Sequence, residues 1–284
     1  MILFQKYCSR FLLLFFLIKS IDAISQNNIA TEEVGLSFGA ANYYGDLNDH
    51  FGYKGIGASA GFFVRQNIGT RFAFKTSFNY MKVGYNDAYS SRPFNRNRNL
   101  SFESSILDIT GQFEFNFLNY IKNIYYADEG SPFTPYLSMG IGVFFFNPQA
   151  EYLGKLYDLQ ALGTEGQLDA EYTGNSRYKL YNLALVYGGG LKYQATKNIV
   201  LGIDFSIRRT FTDYLDDVSG YYVPEISLPE ADKGIAYQLF NRSKELGDFS
   251  NKTGKQRGTL DGNDDYATFQ FQISWLFLNS ICKN

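Results

Sequence analysis

The chain has 284 residues, with 23 Tyr and 27 Phe but one Trp, one His and two Cys. Its 26 Lys and Arg against 28 Asp and Glu leave a net charge of −2, which argues against nucleic acid as a partner, because phosphate binding needs a concentrated basic face. The abundance of Tyr and Phe beside only 6 Pro favours sheets over helices.

The first residues have the pattern of an export signal. Lys6 and Arg10 precede the apolar run 11–18, which is followed by polar residues and by the small residue Ala23. The run is much shorter than the roughly 20 residues of a membrane-spanning helix. We therefore interpret residues 1–23 as a signal peptide.

Apolar and polar residues alternate repeatedly in the remaining segment, 24–284, which we predict to be an outer-membrane β-barrel. In 107–117, Leu, Ile, Gly and Phe fall on one face, and Asp, Thr, Gln, Glu and Asn fall on the other. A period of two over this length indicates a strand. The same pattern predicts eight strands, at 33–43, 54–65, 70–84, 101–117, 134–146, 180–194, 198–208 and 264–277.

The connections between these strands are mostly short at one end, as at 66–69 and 195–197, and long at the other, up to 209–263. Outer-membrane barrels have short periplasmic turns and long outer loops, and a chain without a spanning helix can cross a membrane only as a closed sheet. We therefore predict an all-β fold, an eight-stranded antiparallel transmembrane β-barrel with long extracellular loops. Its location would be the bacterial outer membrane, with both termini in the periplasm.

A soluble barrel that binds a ligand is the alternative, since it has the same alternation with the apolar face turned inward. Periodicity alone does not separate the two. Strands long enough for the roughly 9–11 residues that span a bilayer, abundant aromatic residues and one-sided loops favour the membrane, with lipid around the barrel.

The polar faces of the predicted strands carry both signs of charge. In a membrane barrel of eight strands these faces fill a narrow interior. We predict a charge-paired interior formed by Arg71, Lys75, Asp108, Glu114, Lys192, Asp204 and Arg208. Pairing of the third and fourth strands around residue 92 places Arg71 opposite Glu114, with Lys75 one diagonal step away.

Residues that commonly perform catalysis are sparse. The single His, His50, lies in a predicted loop, and no His or Cys has the spacing of a metal site. The glycines 188–190 lie within a predicted strand without the Lys and Ser or Thr of a phosphate-binding loop, so we expect them to mark a bend or close packing in the barrel wall. We predict no cofactor, no metal and no enzyme activity.

The segment that starts at Thr210 is rich in acidic and aromatic residues. We expect it to fold over the barrel mouth, with Asp213, Asp216 or Asp217 accepting hydrogen bonds from the loop backbone or from Arg208 and Arg209. A catalytic pair of carboxylates among these Asp residues is the alternative. Dense loops of this kind form ordered caps or docking surfaces.

Several long segments carry a family resemblance: GLSFGAANYYGDL (35–47), RNLSFESSILDITGQFEFNF (98–117), FTPYLSMGIGVFFFNPQAEY (133–152), LGTEGQ (162–167) and RRTFTDYLDDVSGYY (208–222). In these segments the chain resembles the PorG family, outer-membrane barrels of the type IX secretion system of Bacteroidota. The resemblance implies a non-enzymatic component that links the periplasmic ring to the outer membrane. In that family the ring consists of the lipoprotein PorK and its partner PorN. A surface adhesin, another small barrel and a barrel enzyme are the alternatives.

One thiol remains after removal of the signal peptide, which contains Cys8. Cys282 follows the last predicted strand, so in an even-stranded barrel it lies in the periplasm, where unpaired thiols tend to be buried, reactive or joined to another protein. The neighbouring Lys283 favours the thiolate and hence disulfide exchange. We predict a disulfide from Cys282 to a periplasmic partner, with the PorK-like ring lipoprotein as the first candidate and an idle thiol as the alternative.

Overall fold

The computed structural model describes residues 30–48, 53–120, 130–168, 176–224, 228, 233–248, 253–259 and 262–278. Within these residues the strands are β1 (Ala30–Tyr44), β2 (Gly57–Ile68), β3 (Phe72–Asn86), β4 (Ser101–Asn116), β5 (Phe133–Tyr152), β6 (Lys155–Asp158), β7 (Tyr181–Gln194), β8 (Ile199–Thr210) and β9 (Asp265–Leu278). The helices are α1 (Pro93–Arg98), α2 (Leu159–Leu162) and α3 (Lys233–Phe240). Short 3₁₀ turns cover Asp87–Tyr89 and Arg242–Leu246.

Eight of the strands form a closed antiparallel barrel. The sheet order is β4-β3-β2-β1-β9-β8-β7-β5, and β5 pairs with β4 to close the circle. The first and last strands are neighbours, in register from Thr31 opposite Leu278 to Tyr44 opposite Asp265. The remaining strand, β6, pairs only with the far end of β5. All eight predicted strands are therefore confirmed.

The barrel has its apolar face outside. Outward-facing residues of the barrel strands are mostly large and exposed, among them Leu36, Phe38, Phe113, Met139, Phe271 and Trp275. We call the outward-facing apolar residues of these eight strands the apolar belt. The inward faces carry buried Ser, Thr, Asn, Gln and charged residues. This arrangement is the reverse of a ligand-binding soluble barrel and suits a lipid surrounding.

No helix among the described residues is long and apolar enough to span a bilayer.

The two ends of the barrel differ. One end carries the short connections 69–71 and 195–198, the start of β1 and the end of β9; we call it the turn end. The other, the loop end, carries the connections 45–56, 87–100, 153–180 and 211–264.

One strand is longer than the alternation predicts. The strand β5 continues beyond the predicted end at residue 146 to Tyr152 and then reverses into β6. The reversal uses Leu153 and Gly154, which both have positive φ. Positive φ at both central residues is the geometry of a type I′ turn, which is favoured in two-residue hairpins, and the apolar alternation does not predict this turn.

Three sequence predictions concern residues outside the described ones. They are the signal peptide 1–23, the loop residue His50 and the thiol of Cys282.

Candidate functional site

A network of buried charges crosses the barrel interior, and we call it the interior network. Its charged members are Glu33, Arg65, Lys75, Glu114, Lys192 and Asp204. Their side chains are at most 3% exposed. Burying a charge is tolerable only when it is paired and hydrogen-bonded, so the geometry of each contact matters.

Glu114 on β4 is the centre of the interior network. Its Oε2 atom lies 2.8 Å from Nε of Arg65 and 2.5 Å from Nζ of Lys192. Its Oε1 atom lies 3.5 Å from Nζ of Lys75. One carboxylate therefore contacts cations from three other strands, β2, β3 and β7.

The remaining contacts extend the interior network to the other strands. Arg65 also pairs with Glu33 of β1 at 2.6 Å and donates to Gln272 of β9 at 3.0 Å. Lys75 pairs with Asp204 of β8 at 2.8 Å, and the hydroxyl of Tyr136 on β5 donates to the same carboxylate at 2.5 Å. Every barrel strand thus supplies at least one side chain.

A separate buried ion pair lies on the loop-end side of the interior network. The Nε atom of Arg208 lies 3.0 Å from Oδ2 of Asp108. With this pair, the buried ion pairs of the described barrel interior join four cations, Arg65, Lys75, Lys192 and Arg208, to four anions, Glu33, Asp108, Glu114 and Asp204. Charges that compensate and fill the lumen leave a solid interior and no wide channel.

The structure places six of the seven predicted interior charges inside the barrel. The prediction for Arg71 is wrong. Arg71 precedes β3 at the turn end, is exposed, and donates to the carbonyl of Phe117 at 2.9 Å. The residue opposite Glu114 is Ala73. Lys75 lies diagonal to Glu114, as predicted.

The role expected of Arg71 belongs to Arg65. Sequence reasoning ended the second strand at this residue, although Asn67 continues its polar face while Val64 and Ile68 face outward. Arg65 is the last residue of the second predicted strand, and its partner Glu33 is the first residue of the first predicted strand. At the ends of the predicted strands neither residue was assigned to the interior, whereas the observed strands continue past both.

The glycines 188–190 lie where the barrel wall is crowded. A Cβ atom on Gly188 would lie 2.1 Å from the carbonyl oxygen of Phe205, and one on Gly190 would lie 1.9 Å from that of Ile203. Close backbone packing therefore explains these glycines, as the sequence predicts.

The connections at the loop end form an ordered structure, which we call the loop cap. It comprises the described residues 45–48, 53–56, 87–100, 153–168, 176–180, 211–224, 228, 233–248, 253–259 and 262–264. Its apolar contacts continue the core of the barrel mouth, where Leu47, Leu100, Leu162 and Leu215 are buried.

Two buried guanidinium groups hold the loop cap together. Arg98 binds both oxygens of Asp87 at 2.8 Å and donates to the carbonyls of Asp46 at 2.9 Å and Arg257 at 2.7 Å. Arg257 in turn binds Glu165 at 2.6 Å and donates to the carbonyl of Asp217 at 2.7 Å. The planar guanidinium group suits such multiple contacts, and together the two groups join all four loops.

The acidic loop segment is part of this structure. Asp216 accepts hydrogen bonds from the hydroxyl of Tyr43 and from the backbone N–H of Val218. Asp217 accepts from the hydroxyls of Thr164 and Tyr178 and has a positive φ of 66°. Bonds of this kind order the segment that begins at Thr210, whose own hydroxyl donates to the carbonyl of Asp264 at 2.5 Å.

Of the two kinds of donor expected for these carboxylates, the loop backbone is found, since the N–H of Val218 donates to Asp216, whereas Arg208 and Arg209 are not their partners. Arg208 points into the barrel toward Asp108, and Arg209 pairs with Asp265 at 3.3 Å on β9. Adjacent residues of a strand point to opposite faces, so neither side chain reaches the loop segment above.

Among the buried side chains of the described loop cap, carboxyl groups outnumber cations, and burial shifts the titration of these carboxyl groups. Burial raises the pKa of Asp213 to about 8 and, against the opposing effect of Arg257, that of Asp217 to about 7. Burial also raises the pKa of Asp216 and Asp264 well above the usual range, and neighbouring carboxylates add to the effect. No group of His, Cys, Asp or Glu among the described residues has the geometry of a metal site.

We expect the loop cap to be more stable at about pH 5.5 than at about pH 8.5. The raised pKa values mean that the folded cap holds more protons than the unfolded loops above about pH 4, so its stability falls as the pH rises through about 8. Hydrogen-exchange protection factors in 211–224 should fall about tenfold or more between these two conditions. Asp213→Asn should reduce the difference, and equal or greater protection at the higher pH would contradict the expectation.

These features define a class: membrane-spanning, eight-stranded β-barrels with a filled interior and an ordered cap of loops. The family model DUF6089, a domain of unknown function, matches residues 9–222, and the chain belongs to this family. No curated protein matches the chain.

Several solved structures are similar in fold. Ail, the attachment invasion locus protein of Yersinia pestis, is 10% identical, with 88% of this chain and 99% of that chain covered and a TM-score of 0.41. Neisserial surface protein A is 10% identical, with 87% and 97% covered and a TM-score of 0.39. The outer membrane enzyme PagL is 14% identical, with 85% and 97% covered and a TM-score of 0.34. At these identities the likeness concerns the fold alone.

Proposed function

We propose that the protein is a non-enzymatic component of the bacterial outer membrane that anchors the periplasmic ring of the type IX secretion machinery. The observation that carries the proposal is the filled interior, in which Glu114 and three cations occupy the lumen. A barrel filled in this way passes no protein cargo, so its use lies in holding a fixed position in the membrane. The secretion role itself is supported by the resemblance of the long segments to the PorG family.

The loop cap supports a structural rather than a catalytic function. Asp216 and Asp217 are fully buried; Asp216 accepts a hydrogen bond from Tyr43 of β1, and Asp217 accepts one from Thr164 of another loop. A general acid or base must reach its substrate, whereas these carboxylates are enclosed by the loops that they hold. Asp216 and Asp217 therefore give the enzyme alternative little support.

The turn end is the side proposed for the periplasmic partners. Outer-membrane barrels have their termini and short turns in the periplasm. The first strand, β1, starts at the turn end, and the last strand, β9, finishes there. The partners on that side would be a PorK-like ring lipoprotein and its PorN-like companion. The loop cap would then face outward.

A deletion strain complemented with plasmid-borne variants tests this proposal. We expect deletion to stop the bulk secretion of cargo with a C-terminal sorting domain, and the wild-type chain to restore it. Normal secretion together with lost attachment to host or matrix would instead support a surface adhesin and overturn the proposal.

The same strains test the proposed disulfide of Cys282, a residue outside the described ones. After alkylation of the cells, non-reducing electrophoresis should show a higher-mass band that disappears on reduction and in Cys282→Ser. A monomer band that reductant leaves unchanged would rule out the cross-link. The protein can contact the periplasmic ring without a disulfide. Absence of the cross-link therefore does not by itself contradict the proposed role in secretion.

A further inference from the structure

A groove lies on the outer wall of the barrel at the loop end, across β3, β4 and β5. Its volume is about 440 Å³, which is within the range of small-ligand pockets. The lining residues that matter for binding are Ile56, Lys82, Gly84, Tyr89, Glu103 and Glu151. None of the six belongs to the interior network.

The centre of the groove lies beyond the lipid head groups. Tyr80 on β3 and its paired residue Leu107 on β4 belong to the apolar belt, and the next outward residue of β3 is the charged Lys82. Gly84 and its paired residue Glu103 lie four residues beyond Tyr80 and Leu107. This is roughly 13 Å along the strands, or about 10 Å in height at a strand tilt of about 40°. The head-group layer is about 5–7 Å thick on each side, so the groove faces water.

The two sides of the groove differ in chemistry. On the side of β2, Ile56 and Tyr89 are about half exposed, and Lys54, just before Ile56, donates to the carbonyl of Tyr89 at 3.0 Å. On the opposite side, β4 carries Glu103 and β5 carries Glu151, and both are exposed. The strand β3 lies between the two sides. The groove therefore has one apolar, partly aromatic side and one acidic side.

Three charged side chains of the groove have no partner among the described residues. Neither Lys82, Glu103 nor Glu151 makes a side-chain hydrogen bond or an ion pair with any of them. Glu103 is directly opposite Gly84, which has no side chain, and Lys82 is one diagonal step away. Because two carboxylates accompany one ammonium group, the groove favours a ligand with several hydrogen-bond donors and disfavours an anion.

The backbone around the groove excludes an added peptide strand. Gly84 pairs with Glu103, Glu103 with Gln149, and Glu151 with Leu156, so these positions present no free strand edge. A pyranose sugar instead has the two properties that the sides require. Its C–H face packs on aromatic and aliphatic side chains, and its hydroxyl groups donate to carboxylates and accept from an ammonium group.

We propose that the groove binds an uncharged sugar unit. Ile56 and Tyr89 contact the C–H face of the ring. Glu103 and Glu151 accept hydrogen bonds from its hydroxyl groups, and Lys82 donates one. Two sources share this chemistry, a polysaccharide of the cell's own envelope and a glycan from outside. Sugar binding requires only that the loop end lies outside the bilayer, and it does not depend on the secretion role.

Saturation-transfer NMR of the full chain tests for sugar binding. The protein is kept in an amine-oxide detergent, because a sugar-based detergent would compete for the groove. The probes are galactose, mannose and N-acetylglucosamine, with glucuronate as the anionic comparison. We expect transfer to the ring C–H protons of at least one neutral probe, with a Kd of about 1 mM, as a few net hydrogen bonds give. Glucuronate should bind more weakly.

Two variants test the two sides of the groove separately. Tyr89→Ala and Glu103→Leu should each weaken binding about tenfold, the effect of losing one aromatic contact or one hydrogen bond to a charged group. Tyr221→Ala removes a similarly exposed tyrosine of the loop cap and should bind as the wild type does. The heat-dependent change in gel mobility shows that each variant is folded before its binding is scored.

A further probe, the polysaccharide released by mild acid from the bacterium's own lipopolysaccharide, separates the two sources. Its binding assigns the groove to the cell's own envelope, whereas binding of the neutral sugars without it assigns the groove to a glycan from outside. No transfer to any probe would overturn the inference. So would equal binding by the wild type and both groove variants, or stronger binding of glucuronate than of the neutral sugars. A photoreactive residue at Ile56 that yields one protein adduct of discrete mass in cells would assign the groove to a protein partner and would also overturn it.

Discussion

Replacing Glu114 with leucine should destabilise the barrel by about 3–5 kcal/mol, the usual cost of removing one partner from a buried ion pair. Glu114 contacts Arg65, Lys192 and Lys75. Arg65 keeps Glu33 and Lys75 keeps Asp204, but Lys192 would lose its carboxylate and retain a hydrogen bond to the amide oxygen of Asn116 and the contact with the ring of Tyr136. The unfolding temperature in detergent, followed by heat-dependent gel mobility, measures the effect.

Two further variants separate charge pairing from packing. Glu245→Leu removes a carboxylate from a partly exposed pair with Arg242, and it should cost at most about 1 kcal/mol. Combining Glu114→Leu with Lys192→Met should recover part of the lost stability, because the double variant no longer buries the poorly compensated ammonium. A single Glu114→Leu variant as stable as the wild type would show that the interior network does not stabilise the barrel.

Replacing Arg257 with methionine should loosen the loop cap while leaving the barrel intact. The change removes the cation that lies 2.6 Å from Glu165 and 4.0 Å from Asp217. Both carboxyl groups would then be buried without a positive charge, at a cost of about 3–5 kcal/mol to the cap. Limited proteolysis should cut the connection 211–264 much faster, while the heat-dependent mobility of the barrel stays near that of the wild type.

Arg242→Met is the matched control for this prediction. It removes a guanidinium from the same connection, but its ion pair with Glu245 is partly exposed and is worth at most about 1 kcal/mol. If Arg257→Met left the proteolysis rate unchanged, or if it unfolded the barrel as well, the division of the molecule into a barrel and a separately stabilised cap would be wrong.

The barrel was predictable from the sequence because its signal is local. Lipid-facing and interior-facing residues alternate along every strand, and a period of two is visible within a single segment such as 107–117. Strand register is less local, since it depends on where each turn begins. Placing the third strand two residues too early was enough to assign Arg71 the position that Ala73 occupies opposite Glu114.

From the sequence, the acidic and aromatic composition of the loops predicted that they are ordered, but it did not predict the contacts between them. Its central contact joins Arg257 to Glu165, which are 92 residues apart in the chain. The sequence around Arg257 does not identify Glu165 as its partner, and the sequence around Glu165 does not identify Arg257. Asp216 and Asp217 stand out as an acidic pair in the sequence, but their bonds to Tyr43 and Thr164 depend on how separate loops fold together.

The pairing of β1 with β9 has a consequence for the order in which the molecule assembles. The two strands come from opposite ends of the chain, so their contacts carry the largest loop-closure entropy in the barrel and are expected to form late. Until they form, Arg65 lacks Gln272, and Glu33 lacks the hydroxyl of Ser274 on β9. An unfinished barrel therefore exposes incompletely paired charges to a hydrocarbon layer, which would oppose its insertion. The interior network in this way favours membrane entry of complete chains over truncated ones.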